Sequence, residues 1–99
     1  MLAITRFRVS EQDTAAFREH VCEALAAMGE RPGYVRGHLG RATDDPGLWA
    51  LVTEWEGVGA YRRALSSYDV KLAATGVLLQ AIQEPGAFEV LESATRGGR

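Results

Sequence analysis

The segment of residues 48–56 constrains the fold most, because its alternation is largely apolar on both sides. As a strand, it would divide its side chains between two faces, with Trp49, Leu51, Thr53 and Trp55 on one and Leu48, Ala50 and Val52 on the other, before Glu54. Successive side chains of a strand point to opposite sides of a sheet. Two apolar faces therefore predict a sheet that is covered on both sides.

The periodicity of the whole chain predicts the order of its elements. In sequence order these are a strand at 2–9, a helix at 11–29, strands at 34–41 and 48–56 joined by a turn at 43–47, helices at 57–65 and from 67 to about 83, and a strand at 88–92. This β-α-β-β-α-β order is that of the ferredoxin-like α+β fold. Right-handed crossovers place both helical layers on one face of its four-stranded sheet.

The second face of this sheet needs a different cover. The chain has 99 residues, which is one small domain with little surplus core. A second copy is the simplest cover, so the sequence predicts a homodimer. We assign residues 1–92 to a single domain and predict a disordered tail at residues 93–99.

Composition and charge exclude several functions. The net charge is −2 with scattered basic residues, so neither nucleic acid nor an anionic membrane is an expected partner. The longest uncharged run, residues 72–83, is too short to cross a bilayer. Cys22 is the single cysteine, which excludes an internal disulfide and every multi-cysteine metal motif. A reducing compartment, the cytoplasm, is therefore expected, together with no metal.

Three short motifs carry a resemblance to a family. The first motif resembles the end of a helix that leads into a strand and consists of Glu30-Arg31-Pro32-Gly33-Tyr34. The second resembles a hairpin turn and consists of Asp44-Asp45-Pro46-Gly47. The third resembles a strand end that leads into a helix and consists of Glu54-Trp55-Glu56 with Ala60-Tyr61. In this order, over about residues 2–92, the chain resembles the antibiotic biosynthesis monooxygenases of the dimeric α/β-barrel superfamily. The resemblance implies a dimer whose sheets close a barrel, with a pocket in each subunit between sheet and helices.

The family contains cofactor-independent oxygenases of phenolic polyketides and also haem-degrading enzymes. The haem-degrading members carry an Asn, a Trp and a His at positions that align with Thr5, Ala64 and Ala74 here. Without that His, no axial ligand reaches the haem iron from the helix. The resemblance therefore implies an enzyme without haem, and we expect no cofactor.

Two residues are candidates for catalysis. His38 is the candidate base, because a neutral imidazole can take a proton from an acidic phenol or anthrone carbon. It is otherwise a partly exposed or interface histidine. Trp55 is the second candidate, since an indole can stack on a planar substrate and carry charge or radical character. It is otherwise a large core residue whose N–H needs a partner.

The candidate substrate-binding residues would line a pocket on the helix side of the sheet. Thr5 and Phe7 would face the small side chains Ala64 and Ala74, which leave room for a planar ligand unless neighbouring side chains fill it. Tyr61 and Tyr68 would offer hydroxyls to a substrate carbonyl. The leading hypothesis is cofactor-independent oxygenation of a planar aromatic or polyketide-like small molecule. The alternative is a non-oxidative binding module, isomerase or cyclase.

Overall fold

The computed structural model describes residues 1–97, which form an antiparallel sheet with helices on one face. The strands are β1 (Leu2–Arg8), β2 (Tyr34–Ala42), β3 (Asp45–Trp55) and β4 (Ala87–Phe88), in the sheet order β2-β3-β1-β4. A 3-10 turn (Glu11–Asp13) precedes the helices α1 (Thr14–Gly29), α2 (Val58–Ser66) and α3 (Tyr68–Leu78). The ferredoxin-like α+β fold expected from the element order is confirmed.

The hydrophobic core lies between the sheet and the helices. Each helix buries residues at helical spacing: Phe17, Val21, Ala24 and Met28 from α1, Ala60 and Ala64 from α2, and Val70, Ala74 and Val77 from α3. Phe7, Trp49, Leu51 and Trp55 meet them from the sheet. We call this side of the sheet the helix face and the other side the open face.

The exit from α1 depends on a glycine, as the motif predicted. Gly33 has a φ of 88°, a left-handed conformation that side chains disfavour. A Cβ atom at this position would also collide with the Cβ of Ala60. Its carbonyl accepts a hydrogen bond from the Glu56 backbone N–H at 2.8 Å, which ties the turn to the end of β3.

The hairpin between β2 and β3 is tighter than predicted. The turn contains only Thr43 and Asp44, and β3 begins at Asp45 rather than Leu48. The pairing register shifts between Arg41 and Ala42. Pro46 has no backbone N–H to donate to the sheet, and such a residue is tolerated beside an irregularity of this kind. The Asp45 carboxylate accepts the Gly47 N–H at 3.1 Å, so a side chain supplies an acceptor for the backbone there.

The C-terminal elements are shorter than predicted. α3 ends at Leu78 instead of continuing to about residue 83, and β4 covers Ala87–Phe88 instead of 88–92. Residue 88 pairs with Leu2, the first residue of β1, so the residues that follow have no partner in that strand. Residues 89–95 form no helix or strand. Of the predicted tail, residues 98–99 lie outside the described residues.

Candidate functional site

The strand register assigns each predicted site residue to one face of the sheet. Residues that are directly opposite in neighbouring antiparallel strands point to the same side. His38 is opposite Val52, which is opposite Ile4, and all three belong to the open face. Thr5 is opposite Leu51, on the helix face. The predicted base therefore lies on the other side of the sheet from the predicted pocket.

Most of the predicted binding residues are core residues. Phe7, Ala64 and Ala74 are at most 1% exposed and belong to the hydrophobic cluster. These three side chains therefore pack in the core and are not exposed to solvent. Tyr68 opens α3 and is 75% exposed, so its side chain is directed to solvent. Only Thr5 and Tyr61 of the predicted set line a helix-side cavity.

This cavity lies at the outer edge of β1 and has a volume of about 260 Å³. Its walls come from β1, α2, the end of α3 and the loop that follows: Ile4, Thr5, Tyr61, Leu78, Ala81, Ile82, Gln83, Glu84 and Gly86. Hydroxyls, an amide and apolar side chains therefore converge there. A groove of about 480 Å³ beside Met1, Val58 and Phe88 is larger, but it contains none of the predicted residues.

Tyr61 is the best placed polar side chain of the cavity. Its ring packs against Trp55 with the centroids 5.6 Å apart. Burial raises the pKa of Tyr61 above its usual 10.0, so the phenol stays protonated at neutral pH and can donate a hydrogen bond. No other group within residues 1–97 is hydrogen-bonded to this hydroxyl, which leaves it available to a ligand.

Trp55 lies behind Tyr61 rather than at the cavity surface. It is 1% exposed and is sandwiched between Tyr61 and Tyr34, whose ring centroid is 5.1 Å from its own. Its indole N–H donates to the Thr53 hydroxyl at 2.8 Å. Trp55 therefore supports Tyr61 and has no direct access to a ligand of this cavity.

The outer wall of the cavity is the segment of residues 79–86, which we call the edge loop. Its backbone is hydrogen-bonded to β1 at two points, from Ile82 N–H to the Arg6 carbonyl at 2.8 Å and from Ile4 N–H to the Gly86 carbonyl at 2.6 Å. The Arg6 guanidinium also donates to both oxygens of Glu84, at 2.7 and 3.2 Å. These hydrogen bonds lower the pKa of Glu84 below its usual 4.5.

His38 has a different environment. It is exposed on the open face, next to Arg36, which forms an ion pair with Glu54 at 3.5 Å. The sheet itself separates it from Tyr61. The candidate base His38 and the helix-side cavity are therefore not brought together in residues 1–97.

The sequence did not predict Gln83 and Glu84 as cavity residues, because it placed them in or beside a continuing helix. The only signal was Pro85-Gly86, which stops a helix but does not say where the chain turns. Within residues 1–97, no three His, Cys, Asp or Glu side chains are grouped so that they could hold a metal ion. None of the helices in that part of the chain has the length and hydropathy to span a membrane.

Comparison with known proteins places this fold in a class. The fold is similar to that of a point mutant of SnoaB, a cofactor-independent oxygenase from Streptomyces nogalater, with a TM-score of 0.80 and 26% identity over 93% of each chain. SnoaB without the mutation gives a TM-score of 0.73 and 25% identity over 93% of this chain and 96% of that one. A Mycobacterium tuberculosis protein matches with a TM-score of 0.74 and 16% identity, over 95% of this chain and 97% of that one. A conserved protein from Methanosarcina mazei matches with a TM-score of 0.71 and 12% identity, over 87% of this chain and 84% of that one. The latter two show the fold alone.

The chain is thus a ferredoxin-like α+β domain of the kind found in small monooxygenases. The model of the antibiotic biosynthesis monooxygenase family matches residues 1–75, so the chain belongs to that family. The match covers β1 to most of α3 and leaves the last three residues of α3, the edge loop and β4 outside it. No curated protein matches the chain significantly.

Proposed function

We propose that the protein is a cofactor-independent monooxygenase whose substrate is a planar aromatic or polyketide-like molecule. The observation that carries the proposal is the protonated, unpartnered hydroxyl of Tyr61 in a partly apolar cavity. Membership of the monooxygenase family and the likeness to SnoaB support the oxidative chemistry.

In this reaction the protein acts by binding and by stabilising an anion. The substrate carbon loses a proton, and the resulting carbanion gives an electron to molecular oxygen. The two radicals combine into a peroxide, which loses water to leave a carbonyl group on the substrate. Tyr61 donates a hydrogen bond to the substrate oxygen that becomes negative, while the apolar walls exclude bulk water. Thr5 offers a second hydroxyl.

The monooxygenase reaction needs a base that removes the substrate proton, and the described residues differ in how well they could supply it. Glu84 is the one carboxylate that lines the cavity, and its pairing with Arg6 makes it a weak base. His38 reaches a ligand only if that ligand lies on the open face. This separation favours the second candidate function, a non-oxidative binding module, isomerase or cyclase that uses the same cavity. Replacing His38 by Gln decides its role, since unchanged turnover excludes it as the base.

Tyr61→Phe tests the site, with Tyr68→Phe as the matched control on the exposed end of α3. Oxygen consumption and product formation are measured with a phenolic anthrone. We expect Tyr61→Phe to lower kcat/KM by about 100-fold, as for loss of one donor to an oxyanion, and Tyr68→Phe to leave it unchanged. Equal loss in both variants would reject Tyr61. Ligand binding without oxygen consumption would support the non-oxidative alternative.

We further propose that the protein is a homodimer that covers the open face. Ile4, Ala50 and Val52 form an apolar centre there, although the chain's own helices cover only the other side. A second copy placed sheet to sheet would bury this centre.

We also propose that the protein is located in the cytoplasm. The thiol of Cys22 is exposed and would stay reduced there. Cell fractionation tests this location.

Val52→Asp tests the dimer because a buried, unpaired carboxylate costs several kcal/mol. Its control is Leu72→Asp, at a residue that is 74% exposed on the outer surface of α3. Sedimentation at micromolar concentration should give twice the chain mass for the parent protein and for Leu72→Asp. Val52→Asp should give the monomer mass. A monomeric parent protein, or dissociation by Leu72→Asp alone, would contradict the proposal.

A further inference from the structure

We propose that Tyr61, Trp55 and Tyr34 form a path for radical transfer, which carries an oxidising equivalent that escapes from the oxygen reaction out of the helix-side cavity to solvent at Tyr34. This role protects the cavity from oxidative damage. It rests on the proposed function, because that reaction supplies the oxidant. The inference depends on three features of the described chain: the contact between the rings, the surroundings of the central indole and the exposure of the two ends.

The three rings form an unbroken row through the core. The ring centroids of Tyr61 and Trp55 are 5.6 Å apart, and those of Trp55 and Tyr34 are 5.1 Å apart. Aromatic pairs in proteins are in contact at centroid separations of about 4.5–7 Å. Phenol and indole rings lose one electron far more readily than a phenylalanine ring. Every member of the row can therefore receive the radical and pass it on.

The surroundings of Trp55 favour its oxidation, whereas those of the other buried indole oppose it. The Trp55 N–H donates to the Thr53 hydroxyl at 2.8 Å, and a hydrogen bond from an N–H that becomes positively charged is strengthened. The N–H of Trp49 has no partner among residues 1–97, and the Arg41 guanidinium lies 5.2 Å from its ring centre. That cation opposes the positive charge of an oxidised ring. Trp49 also contacts Phe17, which does not continue a path.

The row begins at the cavity and ends at the protein surface. Tyr61 lines the cavity, and Tyr34 is half-buried on the edge strand β2, whereas Trp55 between them is 1% exposed. Burial raises the pKa of both tyrosines above the usual 10.0, so each phenol is protonated at neutral pH and has a proton to release on oxidation. Water can exchange protons with the two ends, while the indole between them transfers only an electron.

The transfer is balanced in electrons and protons. A substrate peroxyl radical takes a hydrogen atom from the Tyr61 hydroxyl, which leaves a hydroperoxide and a tyrosyl radical. Trp55 gives one electron to that radical, and Tyr61 takes up a proton from water. Tyr34 then gives one electron to the oxidised indole and releases its own proton to water. A thiol in solution finally donates a hydrogen atom to Tyr34 and becomes a thiyl radical.

A photo-oxidant fixed at the cavity tests the path without any substrate. Gln83→Cys, combined with Cys22→Ser, allows a ruthenium polypyridyl label to be attached to the cavity wall alone. A light flash with a soluble electron acceptor then creates the oxidant there. A nitroso spin trap marks the residue that holds the radical, and tandem mass spectrometry locates the adduct. We expect the adduct mainly on Tyr34.

The two buried indoles provide a matched pair of variants. Trp55→Phe should lower the amount of Tyr34 adduct at least about 10-fold, which corresponds to roughly 1.4 kcal/mol in the barrier to transfer. Trp49→Phe should leave it unchanged. Tyr34→Phe keeps the ring and should leave the adduct on Trp55, and it decides the question if circular dichroism shows that Trp55→Phe is unfolded. An undiminished Tyr34 adduct in Trp55→Phe, or no adduct on Trp55 in Tyr34→Phe, would overturn the path.

Turnover separates this inference from the proposed function. With anthrone, oxygen and the spin trap, the unlabelled protein should acquire the adduct on Tyr34, and Tyr34→Phe should lose activity after fewer turnovers than the parent protein. Equal lifetimes of the two proteins would reject the protective role while oxygenation stands. If anthrone is not oxidised but the flash still places the adduct on Tyr34, the proposed function fails together with the protective role, and only the path remains.

Discussion

The two faces of the sheet are built from alternate residues of the same strands, yet they differ in what surrounds them. On the helix face Phe7 and Trp55 are at most 1% exposed, and aromatic rings pack edge to face, as do those of Phe7 and Phe17 at 5.1 Å. On the open face Phe88 is 45% exposed, and the arginines of β1 pair with carboxylates in water. The helix face thus holds the chain together, whereas the helices of the described chain leave the open face uncovered.

Phe7→Ala, on the helix face, and Phe88→Ala, on the open face, should show the largest difference in the loss of free energy of unfolding. Loss of a buried aromatic ring costs about 3–5 kcal/mol because it removes contacts and leaves a cavity. Loss of the half-exposed Phe88 ring should cost about 1 kcal/mol or less within one chain. Urea unfolding measures both values. Similar losses at low protein concentration would contradict the comparison, and a loss for Phe88→Ala that depends on protein concentration would indicate a partner on the open face.

Two glycines of β2 provide a second comparison between the helix face and the open face. A Cβ atom at Gly37, on the helix face, would collide with the Tyr34 hydroxyl and lie 2.7 Å from a Leu25 methyl group. At Gly40, on the open face, nothing lies within 4 Å. We expect Gly37→Ala to lower the free energy of unfolding by about 1–3 kcal/mol, since overpacking displaces both side chains. Gly40→Ala should be neutral or slightly stabilising, and thermal unfolding distinguishes the two.

Thr53→Val probes the polar contact inside the helix face. The change keeps the side-chain shape but removes the acceptor of the Trp55 indole N–H, so a buried donor loses its partner. We expect the free energy of unfolding to fall by about 1–2 kcal/mol. Tryptophan fluorescence during urea unfolding measures the loss. A neutral result would mean that this core tolerates a buried indole N–H without an acceptor, as it does at Trp49, whose N–H has no partner among residues 1–97.

Asp45→Asn should have the smallest effect, because it removes an exposed ion pair of the open face. Hydrogen bonds from Arg8 and from the Gly47 backbone N–H lower the pKa of Asp45 below its usual 3.8. A carboxyl group with a lowered folded pKa adds stability at neutral pH, and this contribution is lost as the pH falls through the folded pKa. The difference in urea midpoint between parent and variant should therefore be present at pH 7 and shrink below pH 3.8. A difference that is constant with pH would assign the effect to packing.

The alternation of β3 was sufficient to predict that Leu51 and Trp55 share one face of the sheet, and Phe7 was predicted on the helix side. All three are buried on the helix face. The ends of the C-terminal elements were not predictable in the same way. The edge loop turns back because its backbone and Glu84 bond to β1, and Glu84 is 78 positions from Arg6 in the sequence. Local periodicity contains no information about such distant partners.

By itself, the sequence determined the element order, the buried face and the family, because these follow from periodicity and short motifs within single elements. Only the tertiary structure decided which candidate residues meet. The irregular pairing at Tyr34 and Arg36 sets the register that places His38 opposite Val52, on the open face and away from Tyr61. A shift of one residue in a strand register moves every side chain to the other face. The separation of the candidate base from the cavity therefore depends on hydrogen bonds between strands, which no single segment of the chain specifies.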